Sequence, residues 1–134
     1  MKLALDTNAY SDWRRFGLWE SLLLQADEVI VPAIVLGELR AGFLRGNQQK
    51  TNEDKLVTFL QNPVVRVVDV GAATSHYFAS FKHDLLKNGS AIPENDVWIA
   101  ACCFEAGATL LTSDKHFERL PQVRVAQRDF RGAR

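Results

Sequence analysis

Short apolar runs alternate with amphipathic stretches along the whole chain. Leu3-Ala4-Leu5 reads as a short strand, and residues 13–26 carry one or two amphipathic helical turns. Glu28-Val29-Ile30-Val31 is apolar, rich in β-branched residues and stopped by Pro32, a residue suited to the first turn of a following helix. Ile34, Val35, Leu36, Leu39, Phe43 and Leu44 then recur at helical spacing. Residues 46–49 break the pattern, residues 52–60 resume it as a helix, and Asn62-Pro63 ends it. Residues 64–70, VVRVVDV, are a third strand candidate, followed by a helix over 72–86. After a loop at 87–90, Pro93 opens a helix running to Glu105, and Gly107 stands where a left-handed C-terminal residue is expected. Residues 109–112 form a fourth strand, 115–119 a helical turn, and 123–125 a fifth strand.

The strand candidates are unbroken apolar runs instead of in-out alternations, as expected of strands covered on both faces. Strands alternating with helices predict an α/β fold: a three-layer α/β/α sandwich around a central, mostly parallel sheet of four to five strands. Right-handed crossovers then bring the C-terminal ends of the strands to one edge. No repeat, low-complexity tract or linker interrupts the 134 residues, so residues 1–134 are expected to form a single domain.

Composition narrows the class without naming a partner. Hydrophobic residues make up 47% of the chain, which excludes global disorder. The 16 basic and 16 acidic side chains cancel, so net charge points to no polyanion, although a basic rim can surround an acidic centre. Arg124, Arg128, Arg131 and Arg134 face only Asp129 in the last residues, read as a solvated tail. Asp6 interrupts the first apolar run, so no signal-peptide core is expected there. No apolar run approaches the ~18 residues that a membrane span needs. Cys102 and Cys103 are adjacent on a helix and diverge by about 100°, which disfavours a shared metal. They are expected to be buried free thiols in a reducing cytoplasm.

The candidate chemistry lies in four acids at strand-to-helix junctions: Asp6 in LDTN, Glu38 in GELRAG, Asp96 in PENDVWIAA and Asp114 in TSDKHF. Each has a bland reading. Asp6 and Asp114 suit helix caps, Asp96 suits a helix N-terminus, and Glu38 suits a solvent-facing helical position. The parallel sheet changes their meaning, because open α/β sheets bind ligands at the carboxyl ends of their strands. Asp6 and Asp114 directly follow strands, and Asp96 precedes the inward apolar face of Ile99, Ala100 and Cys103. Glu38, about two turns into its helix, has the length to reach back toward the edge. Thr7, Asn8, Asn95, Thr112 and Ser113 place small polar groups beside these acids, able to orient a carboxylate or a water. Clustered carboxylates repel one another unless a hard divalent cation, Mg²⁺ or Mn²⁺, sits among them. Such a cation in a cleft suits phosphodiester hydrolysis.

LDTN, GELRAG, PENDVWIAA and TSDKHF, in this order and spacing, resemble the PIN-domain ribonucleases, and among them the VapC-type toxins of toxin–antitoxin pairs. The resemblance covers essentially the whole chain. It implies a Mg²⁺- or Mn²⁺-dependent, homodimeric endoribonuclease, inhibited by a small cognate antitoxin whose C-terminal segment covers the active site. The family's acidic quartet falls on Asp6, Glu38, Asp96 and Asp114, with Asp6, Asp96 and Asp114 on the metal and Glu38 on the attacking water. The small polar residue near the metal falls on Thr7 or Ser113, with Asn8 and Asn95 in support. The rival reading is a catalytically weak PIN-like module that binds RNA or protein. Arg14, Arg15, Arg40, Arg45, Lys115 and His116 are candidate phosphate contacts at the rim, while Trp13, Trp19 and Trp98 read as core. The cluster Trp19, Leu22, Leu23 and Leu24 is a candidate dimer surface.

Overall fold

A computed structural model of the chain describes residues 1–126. Five strands form one sheet: β1 (Lys2–Leu5), β2 (Glu28–Pro32), β3 (Val65–Val68), β4 (Thr109–Leu111) and β5 (Val125–Ala126). They lie in the order β3-β2-β1-β4-β5, every neighbouring pair parallel. The helices are α1 (Thr7–Phe16), α2 (Glu20–Gln25), α3 (Ala33–Arg45), α4 (Gln49–Leu60), α5 (Ala72–Lys87) and α6 (Glu94–Ala106), with a 3₁₀ turn over Lys115–Arg119.

The strand order dictates the layers. The chain steps outward from β1 to β2 to β3, then returns past β1 to β4. Right-handed crossovers taken in opposite directions put their helices on opposite faces. The helices α1–α4 therefore cover one face and α5–α6 the other, which is the expected α/β/α sandwich. Its centre is apolar: Leu3, Ala4, Leu5, Ile30, Val31, Leu110 and Leu111 are all buried. The order reverses between β1 and β4, whose register pairs Leu5 with Leu111. A crevice forms at such a reversal because the connections leave in opposite directions.

Three sequence expectations change. The first helix starts at Thr7, not near Trp13, because Asp6 caps it by accepting from the Ala9 N–H at 2.7 Å. Gly17, with φ 73°, closes that helix, and Trp19 follows in the left-handed region with φ 71°. Trp19 is fully buried, so it is not available to a partner surface, whereas Leu24 is exposed. β3 is an edge strand with Val67 partly exposed, so its apolar run is not covered on both sides as read from the sequence. The other tryptophans are half-buried: Trp98 stacks on Phe78 at 3.8 Å between ring centres, and Trp13 donates its indole N–H to Glu20. Cys102 and Cys103 are free and buried as expected. Arg124 donates to the Gly107 carbonyl at 3.1 Å, and the remaining tail charges Arg128, Asp129, Arg131 and Arg134 lie outside the described residues.

Candidate active site

The reversal point between β1 and β4 gathers the acids. Asp6 leaves β1 one residue past Leu5, and its N–H still reaches the Leu111 carbonyl at 3.5 Å. Asp114 follows β4 and caps the 3₁₀ turn, accepting from the His116 N–H at 2.9 Å. Asp96 sits in the first turn of α6, above the buried Ile99, Ala100 and Cys103. Glu38 comes from the second turn of α3. Asp6, Glu38, Asp96 and Asp114 line a single cleft of about 120 Å³, together with Thr7, Asn8 and Ile99.

The caps and the cleft are not alternatives. Asp6 uses Oδ1 to cap α1 and Oδ2 to accept from the Thr112 hydroxyl, and it still lines the cleft. Thr112 also accepts the Asp114 N–H at 2.9 Å, so one hydroxyl ties the two strand-end acids together. Thr7 donates to Glu38 Oε1 at 2.5 Å, and Asn95 donates to Glu38 Oε2 at 3.3 Å. Glu38 is thereby held on both oxygens by side chains from α1 and α6.

His116 enters the cluster in a way the sequence did not indicate. Its Nδ1 lies 3.0 Å from Asp96 Oδ2 and 3.1 Å from Asp114 Oδ1, bridging the two carboxylates. One donor atom from each of Asp96, Asp114 and His116 lies within 4.8 Å of the others.

Electrostatics mark the cleft as short of positive charge. Asp6 is 4% exposed, and burial pushes its carboxyl up to about 6, with the charges of Asp114 and Asp96 adding to the rise. Burial raises Asp96 as well; the His116 contact opposes the rise, and Asp114 and Glu38 reinforce it. Anionic oxygens in a small cleft, desolvated and repelling one another, are the donor set that a hard divalent cation satisfies. The residues present therefore fit such an ion.

The expected supporting residues divide. Thr7 and Asn95 orient Glu38, and Asn8 lines the cleft. Ser113 is exposed and lines a neighbouring cavity with Lys115 and Pro121; the hydroxyl between the acids belongs to Thr112. Of the candidate rim cations, Arg40 is taken up by an ion pair with Glu53 of α4 at 2.9 Å.

The family described as PIN domain matches residues 3–123. This chain belongs to the PIN-domain family. Ribonuclease VapC2 of Rickettsia felis is 30% identical to this PIN domain over 103 residues, which cover 76% of this chain and 75% of the relative. Ribonuclease VapC4 of Mycobacterium tuberculosis is 30% identical over 95 residues, covering 71% of this chain and 73% of that one. Among solved structures, VapBC2 from Rickettsia felis bound to a DNA fragment from their promoter superposes with a TM-score of 0.84 at 27% identity, covering 96% of this PIN domain and 100% of that chain. VapBC-1 from nontypeable Haemophilus influenzae gives the same TM-score, 0.84, at 21% identity, covering 95% and 98%, a likeness of fold.

Proposed function

We propose that this PIN domain is a divalent-cation-dependent endoribonuclease and the toxin of a type II toxin–antitoxin pair. The observation that carries the reading is the convergence of Asp6, Glu38, Asp96 and Asp114, from four distant parts of the chain, on one cleft at the sheet's reversal point. The ribonuclease names of VapC2 and VapC4 support the reaction class. The fold shared with VapBC2 supports the pairing with an antitoxin.

Asp6, Asp96 and Asp114 would hold the cation, Mg²⁺ or Mn²⁺. When bound, it neutralises charge on the scissile phosphate and acidifies water beside it. Glu38, fixed by Thr7 and Asn95, orients the attacking water and accepts its proton. In-line displacement at phosphorus then breaks the bond to the 3′ oxygen and leaves a 5′-phosphate and a 3′-hydroxyl. Thr112 keeps Asp6 and Asp114 in register, acting through them.

The whole chain, residues 1–134, is read as one nuclease domain acting in the cytoplasm as a homodimer. A small cognate antitoxin would cover the cleft with its C-terminal segment. Among the described residues, no helix is long and apolar enough to cross a membrane.

Incubation of the purified protein with total RNA, in Mg²⁺, Mn²⁺ or EDTA, tests the reaction. New 5′-phosphate ends are expected with either cation, none in EDTA and none from Asp96→Asn. The rival binding module predicts intact RNA in every condition and no Mn²⁺-induced rise in Tm. That pair of results would sink the nuclease reading.

A further inference from the structure

A second cavity, of about 560 Å³, opens on the Glu38 side of the cleft and shares Thr7 and Glu38 with it. Its walls come from α1, α3 and α4. Arg14, Arg15, Arg45 and Lys55 line it, and Glu38 is the one acid among its lining residues. None of these four cations has a carboxylate within 4.0 Å among the described residues. Several cations elsewhere are paired with carboxylates: Lys2 and Arg66 with Glu28, Arg40 with Glu53, Lys50 with Asp54 and Lys82 with Glu94. Four positive charges without a carboxylate partner therefore stand together at one rim of the anionic cleft, in a chain of zero net charge.

Part of that rim is held in place before any ligand arrives. The Arg14 guanidinium lies over the Trp13 ring at 4.2 Å and donates to the Lys55 carbonyl at 3.3 Å. Gly42 leaves the floor open: a Cβ there would meet only Arg45 Nη2, at 3.8 Å.

We infer that this groove binds the backbone phosphates of the RNA strand flanking the scissile bond, an inference that rests on the ribonuclease reading of the cleft. A polyanion with one phosphate among four acids meets repulsion there. Its neighbouring phosphates need cations a few ångströms away, and the groove supplies them on the side that opens from Glu38. Contacts of this kind fix the register of the strand without reading its bases.

The test is fluorescence anisotropy with a short single-stranded RNA oligonucleotide of mixed sequence, in EDTA so that nothing is cut, across a salt series. The double variant Arg45→Ala/Lys55→Ala is expected to bind at least tenfold more weakly. Its salt slope should fall by about 0.7 for each phosphate contact removed. Gly42→Gln keeps every charge but fills the groove, and it too should weaken binding. Lys50→Ala and Lys82→Ala, outside the groove, should bind as wild type. Wild-type affinity and slope in the double variant would overturn the inference, as would equal losses in the Lys50 and Lys82 controls. If those groove variants also cleave total RNA with unchanged KM, the groove fails while the nuclease reading stands. A wild type that cuts no RNA, yet loses binding in the double variant, gives the reverse division.

Discussion

His116 Nδ1 stands 3.0 Å from Oδ2 of Asp96, with the same nitrogen 3.1 Å from Asp114 Oδ1. A ring nitrogen this close to two carboxylate oxygens serves them as a hydrogen-bond donor, so in the cation-free protein an N–H of His116 stands between Asp96 and Asp114. Replacing it should lower the Tm in EDTA, by the equivalent of about 1 kcal/mol for a partly exposed charged hydrogen bond. The Tm rise on adding Mn²⁺ should be larger in His116→Ala than in wild type, because the cation no longer displaces the ring. Thermal shifts with and without Mn²⁺ check this, and an equal or smaller rise would show that His116 is a ligand or a bystander.

Asp6 gives a pH dependence with a definite sign. Its folded-state value of about 6 lies above the ~3.9 of an unfolded aspartate. The folded protein therefore binds this proton more tightly than the unfolded chain does. Its stabilising effect is complete below about pH 4 and is lost as pH rises through about 6, a penalty of about 3 kcal/mol at neutral pH. Asp6→Asn keeps a side-chain oxygen to cap Ala9 and removes the buried charge. It should be more stable than wild type at pH 7.5 in EDTA, with the gap closing toward pH 4. Urea denaturation at several pH values measures it. The same substitution should abolish the Mn²⁺-induced Tm rise; loss of stability at pH 7.5 would contradict the assignment.

Thr7 donates its hydroxyl to Glu38 at 2.5 Å, and we propose that this contact, more than any contact with the cation, is its part in the site. Thr7→Val preserves shape and removes the donor. Loss of one hydrogen bond to a carboxylate, about 1–2 kcal/mol, should slow cleavage roughly 5- to 30-fold. The Mn²⁺-induced rise in Tm should stay at the wild-type value. If that rise disappears, Thr7 belongs to the cation's own surroundings.

Cys102 and Cys103 should be chemically inert. Burial pushes their thiols up to about 11 and about 12, and Cys103 donates to the Ala108 carbonyl at 3.2 Å. Little thiolate exists at neutral pH, so a thiol reagent should label the native protein far more slowly than the urea-unfolded chain. Equal labelling rates would mean that α6 opens readily, at odds with its place in the core.

Much of the fold was legible because burial imposes periodicity. The apolar runs in β1, β2 and β4 and the inward face of α6 are each local patterns, and they locate Asp6, Asp96 and Asp114 at element ends. The polar start of α1, TNAYSD, gave no such signal. That helix begins where it does because Asp6 supplies its cap and Ala9 and Tyr10 find the core behind the sheet. Lys55, the one groove cation absent from the sequence reading, sits on a helix whose placement beside α1 no local pattern encodes.

The sequence by itself determined the element order, the α/β class and the identity of the four acids, since hydrophobic spacing and motif are properties of neighbouring residues. The tertiary structure decided who partners whom. Pairing Leu5 with Leu111 carries the next residues, Asp6 and Thr112, side by side, and so selects Thr112 over Ser113 as the hydroxyl between the acids. Packing of α1, α3 and α6 at the same edge sets Thr7 and Asn95 on Glu38, and the 3₁₀ turn brings His116 to Asp96. These contacts join residues 20 to 106 positions apart. Strand register and helix packing are collective outcomes of burying one shared core, and no local stretch of sequence contains them.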